Sequence, residues 1–238
     1  MTEPLVIMPV KDSLDTAERA IRSVVGSGYT ITIFDDYSSD DNALQLDELA
    51  DELHIKIVHL KDITSHPSPN YLLVLQSAQR IALERVCDLI IVESDVIVRP
   101  DTLHLLQEAV KEGVGMVAAV TENEQGEINY PYEFLPEKYN TEDNKKLTVE
   151  SRKHLSFCCS LLSNSFLQTF SFCSLNPKKN WYDVTISHKS VELGFRNLLM
   201  PANRVLHLPH SSRPWKKLKY KNPLLYYWRK LTQKRDRI

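Results

Sequence analysis

The sequence predicts an α/β fold: a mostly parallel sheet with helices on both faces. Three observations predict it. Short runs of β-branched apolar residues alternate with stretches of helical spacing from the N-terminus to about residue 121, the pattern of successive strand–helix–strand units. Of 238 residues, 42% are apolar and 25% charged, enough to fill a core and ordinary for a solvated surface. Acids close two of the predicted strands, at Asp35-Asp36 and at Glu93-Ser94-Asp95. In open parallel sheets, ligands sit beyond the carboxyl ends of the strands.

Residues 4–10 (PLVIMPV) form the first predicted strand. From Thr16 to Val25 the residues Ala17, Ala20, Ile21, Val24 and Val25 share one helical face, and Ser13 or Asp15 can cap it. Residues 30–34 (TITIF) are the second strand. A polar loop, YSSDDN, leads to a helix carrying Leu44, Leu46, Leu49, Ala50 and Leu53. Residues 55–60 (IKIVHL) are the third strand. A Pro/Ser loop from Ser65 to Pro69 precedes a long helix from Tyr71 to Val86. Residues 88–94 (DLIIVES) are the fourth strand. Pro100 suits the first turn of a helix running to Lys111, where its missing N–H is no loss. Residues 114–120 (VGMVAAV) are the fifth strand.

From 122 to 150 the chain is polar and rich in Asn, Glu, Lys and Tyr, and reads as a loop or lid. Apolar runs return from 155 to 208, around a helical stretch from Tyr182 to Leu193 that Gly194 closes. The strand-like NLLMP and RVLHLP follow. The chain thus divides into residues 1–121, 122–210 and 211–238.

A net charge of −2 conceals an asymmetry. From Ser211 onward ten Lys/Arg face one acid, Asp236, which leaves 19 basic and 30 acidic residues, a charge near −11, in the rest. The basic tail interleaves its cations with Trp215, Tyr220, Tyr226, Tyr227 and Trp228. It reads either as a segment for the headgroup region of an anionic membrane or as a helix packing Leu224, Leu225 and Trp228 onto the domain. The acidic body argues against nucleic acid as a partner. No run of 18 apolar residues exists, so no membrane span is expected. The opening MTEPLVIMPV lacks the basic segment of a signal peptide. Cys87, Cys158, Cys159 and Cys173 form no metal-type CxxC pair and lie among apolar residues. They are expected as reduced core thiols of a cytosolic protein.

Only six glycines occur, and the first strand runs into Pro9-Val10-Lys11-Asp12 with no GxGxxG or GxxxxGK. Phosphates are therefore not cradled by a Gly-rich loop. Glu93 and Asp95, two apart beyond a buried strand, point the same way. They are either solvated acids at a strand end, or buried acids, which are costly unless a cation or donor meets them. A hard divalent ion that also binds phosphate oxygens would do so. Asp183 begins a helix beside Trp181 and Tyr182. It reads as an N-cap or as a general base whose pKa is raised by desolvation. His207 and His210 follow the last strand, as structural hydrogen-bonders or as metal ligands. His54 and His188 read as helix-surface residues.

Together these segments resemble the family 2 glycosyltransferases of the GT-A fold. PLVIMPVKD is similar to their first strand, and TITIFDDYSSDD to their nucleotide-binding second strand. VESDVIV stands where the family has its metal-binding Asp-x-Asp. YDVTISHKSVELG matches the spacing of the Glu-Asp motif, and VLH matches the late metal-site His. The resemblance runs in order from Pro4 to His210. It departs from the family at Glu93 for the first Asp, at Tyr182 for the usual Glu, and at Lys189 for an Arg. SPNYLLVLQSAQR replaces the Asn-rich stretch, of which Asn70 retains a part.

The resemblance implies a Rossmann-like nucleotide-sugar half (1–121), an acceptor half of the same domain (122–210) and a basic helical tail (211–238). It implies that Asp36, Asp35, Pro9, Asp12 and Asn70 line the nucleotide pocket, with Glu93 and Ser94 near the ribose or a metal-bound water. Asp95 and His207 would bind Mg2+ or Mn2+, and Asp183 would deprotonate the acceptor. The implied activity is inverting transfer from a nucleotide-diphosphate sugar, UDP-based, to a hydroxyl of a glycan or lipid-linked glycan in surface-polysaccharide synthesis. The implied location is cytoplasmic, at the inner face of the cell membrane. Two rivals stand beside it. A sugar-phosphate nucleotidyltransferase would need a Gly-rich basic loop, which PVKDSLD lacks. A non-catalytic nucleotide- or glycan-binding protein would keep the fold without turnover.

Overall fold

Strands β1 (Leu5–Val10), β2 (Ile31–Asp35), β3 (Lys56–His59) and β4 (Leu89–Val92) lie side by side and parallel, in the order β3-β2-β1-β4. Each has one face in each of two apolar layers, because side chains alternate along a strand. Val6, Met8, Val10, Ile90 and Val92 enter one layer, and Leu5, Ile7, Leu89 and Ile91 the other. A sheet buried on both faces reads as continuous apolar runs, and this is why these strands were legible. The computed structural model describes residues 2–133, 135, 144–151, 154–178, 181–209 and 222–232.

Helices cover both faces. α1 (Leu14–Gly26), α2 (Asp40–Leu53) and α4 (Thr102–Ala109) pack on the first layer through Ala17, Ile21, Val24, Leu46, Leu103 and Leu106. On the second layer sit α3 (Tyr71–Arg85), α5 (Asn164–Thr169) and α6 (Tyr182–Glu192), through Val74, Leu75, Ala78, Phe166 and Ile186. Ser13 stands at the N-cap of α1, in a left-handed conformation and without a side-chain capping bond. Gly194, at φ 87°, closes α6, and its N–H bonds the Val191 carbonyl at 3.0 Å. A further helix, α7 (Pro223–Thr232), begins the described part of the tail.

Beyond β4 the sheet is mixed rather than parallel. β8 (Cys159–Leu162) runs antiparallel between β4 and β6 (Val114–Glu122). β6 ends at the carboxyl edge of β4 and β8 begins at that edge, so β8 must run back down the sheet. The run NLLMPANRVLH is one long strand, β9 (Arg196–His207), parallel to β6. Its register with β6 shifts between Met200 and Arg204. Pro201 falls in that shift, where a residue with no N–H leaves no ladder bond unmade. β5 (Val96–Ile97) and β7 (Val149–Glu150) pair antiparallel to β9.

Gly115 marks a close approach of α6 to β6. A Cβ there would overlap the Ser190 hydroxyl of α6 and lie 2.8 Å from Cβ of Phe195. Gly115→Ala is therefore expected to destabilise the protein by about 1–3 kcal/mol, through overpacking. Thermal unfolding checks this, and an unchanged midpoint would refute it.

Candidate active site

The carboxyl ends of β1, β2, β3 and β4 define one edge of the sheet, and the polar residues there fall into two groups. In the first, the loops after β1 and β2 are tied together. Asp12 accepts the Ser39 N–H at 2.9 Å and the Asn42 amide at 3.1 Å, and its own N–H donates to the Ser38 hydroxyl. The Ser39 N–H holds the Asp12 carboxyl below its ordinary pKa. Pro9 is half-buried one residue before the end of β1. The Asp36 carboxylate is buried and accepts three bonds, from the Ser68 hydroxyl (2.7 Å), the Asn70 N–H (2.8 Å) and the Asn70 amide (2.8 Å). Asn70 thereby links the end of β2 to the N-terminus of α3.

Asp35 is 1% exposed, and its oxygens take the Ser38 N–H at 3.1 Å and Nδ1 of His59 at 2.8 Å. His59 Nε2 lies 2.8 Å from Asp47. An imidazole between two carboxylates is stabilised as the cation. Burial pulls the His59 pKa down, but Asp35 and Asp47 outweigh it, and the net shift is upward from 6.5. A raised folded pKa contributes stability that is complete below the unfolded value and is lost as pH rises through the folded one. The melting temperature is thus expected to fall as pH rises from about 6.5 through the folded pKa of His59, with a smaller fall in His59→Gln. Equal slopes in the two proteins would remove His59 as the cause.

The second group surrounds the turn after β4. Val96 N–H bonds the Glu93 carbonyl at 3.0 Å, which closes a tight turn through Ser94 and Asp95. Ser94 is half-buried in that turn. β5 then pairs with β9 so that Val96 lies opposite His207. That register brings His207 Nε2 to 3.5 Å from Asp95 Oδ2. Asp95 is 2% exposed. Burial lowers the His207 pKa, but Asp95, Glu93 and the Tyr130 backbone raise it further, for a net upward shift. Cys158, just before β8, points its thiol at Glu93 Oε2, 3.7 Å away. Burial, with Glu93 alongside, pushes that thiol well above its ordinary pKa, so it stays an S–H donor.

Asp183 lies in α6, and its charge acts on the Tyr71 hydroxyl together with that of Glu93. The N-cap of that helix is Trp181, and Asp183 lies in the first turn instead of capping it. Burial pushes the Asp183 carboxyl up, against the Val184 N–H and the charge of nearby His154. The middle of α6 is tied to the segment 154–156 by the Ser187 hydroxyl, which takes the Leu155 N–H at 2.9 Å. Tyr71, in the first turn of α3, stacks on Tyr182 at 6.3 Å between ring centres.

The structure thus gathers Pro9, Asp12, Asp35, Asp36 and Asn70 in one cluster and Glu93, Ser94, Asp95 and His207 in another, while Asp183 shares with Glu93 an electrostatic influence on Tyr71. Cys158, His154, His59 and Tyr71 were not anticipated as site residues. Adjacent acids signal themselves in sequence, whereas a His or Tyr brought in by sheet register leaves no local pattern. His210 lies outside the described residues, as do Trp215, Tyr220 and parts of the 122–150 segment. Cys173 departs from expectation in being exposed, while Cys87, Cys158 and Cys159 are buried. The reason is local: Cys173 sits in a short 3-10 turn that buries Phe172 instead.

Among the described residues no group of three or more His, Cys, Asp or Glu encloses a metal position. Asp95 and His207 supply one oxygen and one nitrogen. That suits an ion such as Mg2+, which is often held by one or two protein groups plus waters and substrate phosphates. The residues present therefore fit a metal that is completed by its phosphate ligand.

The sheet and its flanking helices define the GT-A fold of glycosyltransferases. The structure of GalNAc-T7 with UDP, GalNAc and Mn2+ superposes with a TM-score of 0.64 at 14% identity, over 88% of this chain and 44% of that one. TarS 1-349 of S. aureus gives 0.60 at 14% identity, over 97% and 66%. Glucosyl-3-phosphoglycerate synthase of Mycobacterium tuberculosis, in complex with Mn2+, UDP and glucosyl-3-phosphoglycerate, gives 0.55 at 14%, over 91% and 74%. The chain spans less than half the length of the first of these. The chain belongs to glycosyl transferase family 2, whose sequence model matches residues 5–170. No curated protein matches it in sequence.

Proposed function

We propose that this protein is an inverting, metal-dependent glycosyltransferase that moves a sugar from a UDP-sugar to a hydroxyl of a glycan or glycolipid. The observation that carries this reading is the approach of buried Asp95 and His207 to 3.5 Å at the carboxyl edge of the sheet, together with an Asp183 carboxyl raised in pKa by burial. The nucleoside is received by the cluster of Pro9, Asp12, Asp35, Asp36 and Asn70 at the ends of β1 and β2. Glu93 and Ser94 carry the donor onward from ribose to diphosphate. Asp95 and His207 hold Mg2+ or Mn2+, which supplies positive charge to the departing diphosphate. Asp183, made more basic by burial, accepts the proton of the acceptor hydroxyl. That oxygen attacks the anomeric carbon from the face opposite the nucleotide, so configuration inverts.

In this reading residues 1–121 bind the donor, residues 122–210 shape the acceptor side, and residues 211–238 form a basic tail. The acceptor belongs to surface polysaccharide or lipopolysaccharide synthesis, made at the inner face of the cell membrane. Support comes from α7, where Leu224, Tyr227 and Trp228 are exposed at helical spacing within a segment of ten Lys/Arg and one acid. No helix among the described residues is long and apolar enough to cross a membrane. Co-sedimentation with anionic vesicles, and its loss in high salt, tests that attachment.

The test of the function is a thermal-shift screen with UDP, GDP, dTDP and CMP, each with and without Mn2+. Stabilisation by UDP that requires the metal is the expected result. A folded protein that responds to no nucleotide would overturn the reading.

A further inference from the structure

Among the described residues, Tyr71 carries a buried hydroxyl donor that the fold leaves unsatisfied. Its hydroxyl is shut off from solvent and has no hydrogen-bond partner among the described residues, while its ring is only half-buried. Its ring stacks on that of Tyr182, with centroids 6.3 Å and planes 24° apart. The charges that act on that hydroxyl are Glu93 and Asp183, with the Cys158 thiol beside them. Burial and those acids push the phenol well above its ordinary pKa, so it remains an O–H donor. Buried polar groups are nearly always hydrogen-bonded, and an exception calls for a partner that the chain itself does not supply.

We propose that Tyr71 binds the transferred sugar, its hydroxyl donating to an oxygen of the sugar ring or its substituents between Glu93 and Asp183. This rests on the transferase reading. In an in-line displacement the anomeric carbon lies between the leaving diphosphate and the attacking hydroxyl. Glu93 begins the turn that leads to Asp95, on the diphosphate side, and Asp183 stands on the acceptor side. A buried, unpartnered hydroxyl that feels the charge of both is therefore assigned to the sugar. Two carboxylates can only accept hydrogen bonds, so a neutral phenol complements them for a polyhydroxyl ligand that both donates and accepts. Because the hydroxyl is shut off from solvent, a sugar reaches it only when its cover moves aside.

The test compares Tyr71→Phe with the parent protein. Melting temperature is measured alone, then with UDP and Mn2+, then with Mn2+ and each of UDP-glucose, UDP-galactose and UDP-N-acetylglucosamine. Removing an oxygen that has no internal partner is expected to leave the unliganded protein as stable or more stable. UDP affinity is expected to be unchanged, while the extra affinity conferred by the sugar falls about ten- to hundred-fold. If the variant keeps the sugar increment, the assignment is overturned. If the variant loses unliganded stability and keeps the increment, Tyr71 is structural. Should the parent show no metal-dependent UDP binding, the transferase reading fails first and takes this inference with it, an outcome distinct from a change confined to the variant.

Discussion

Asp183→Asn is expected to lower turnover by about 10²–10⁴-fold, the usual contribution of a positioned general base. Binding of UDP with Mn2+ is expected to survive, because Asp183 lies on α6 and is assigned to the acceptor, while Asp95 and His207 are assigned to the metal. The substitution preserves shape, and the amide can no longer accept a proton. Stability is expected to hold or rise, since burial works against the charged carboxylate and the change removes that charge. Steady-state transfer assays with a UDP-sugar donor, read beside thermal shifts with UDP, separate the two effects. Retained turnover in a folded Asp183→Asn protein would remove Asp183 as the base. Loss of nucleotide binding in step with turnover would assign it to the donor site instead.

Asp95→Asn is expected to abolish the metal-dependent part of nucleotide binding. An amide oxygen is a far weaker ligand for a hard divalent ion than a carboxylate, and His207 alone does not hold one. Saturating UDP at about a hundred times its dissociation constant contributes about 2.7 kcal/mol to stability by linkage. The variant is expected to lose the part of that gain that depends on Mn2+, while any metal-independent response to UDP remains. A metal-dependent shift equal to that of the parent would show that the ion is held elsewhere. Because Asp95 is buried and faces His207 at 3.5 Å, its replacement also changes the unliganded protein. The comparison is therefore made between liganded and unliganded forms of the same variant.

The two groups at the sheet edge divide the labour differently. Asp12, Asp35 and Asp36 spend most of their accepting capacity on Ser39, Asn42, His59, Ser68 and Asn70. They build the walls of the pocket as much as they offer themselves to a ligand. The turn at Glu93–Asp95 instead meets His207, the Cys158 thiol and the neighbourhood of Asp183, where several titratable groups have displaced pKa values. Strongly displaced pKa values cluster at functional sites.

Much of the fold was legible because its first half obeys local rules. LIIV in β4 and VIMPV in β1 are buried on both faces, so their apolar runs are continuous. The helix starting at Leu14 keeps Ala17, Ala20, Ile21 and Val24 at helical spacing because only one face meets the sheet. The acids were legible because a charged residue after such a run is conspicuous. By contrast, β8 is four residues long and has no period of its own, and β9 hides its continuity behind Pro201. Direction and pairing in that half depend on which edge of the sheet the chain returns to, and that is a property of the whole fold.

The sequence by itself determined the alternating α/β frame, the residues facing the two apolar layers, the acids at the strand ends and the basic tail. Each of these follows from periodicity and charge within a window of a few residues. Only the tertiary structure decided that the sheet is mixed, that β5 pairs with β9 and so sets His207 against Asp95, and that His59 bridges Asp35 and Asp47. It alone stacked Tyr71 on Tyr182 and buried its hydroxyl without a partner among the described residues. Those contacts join residues far apart along the chain, and their energies come from burial and from register between strands, which no local pattern encodes.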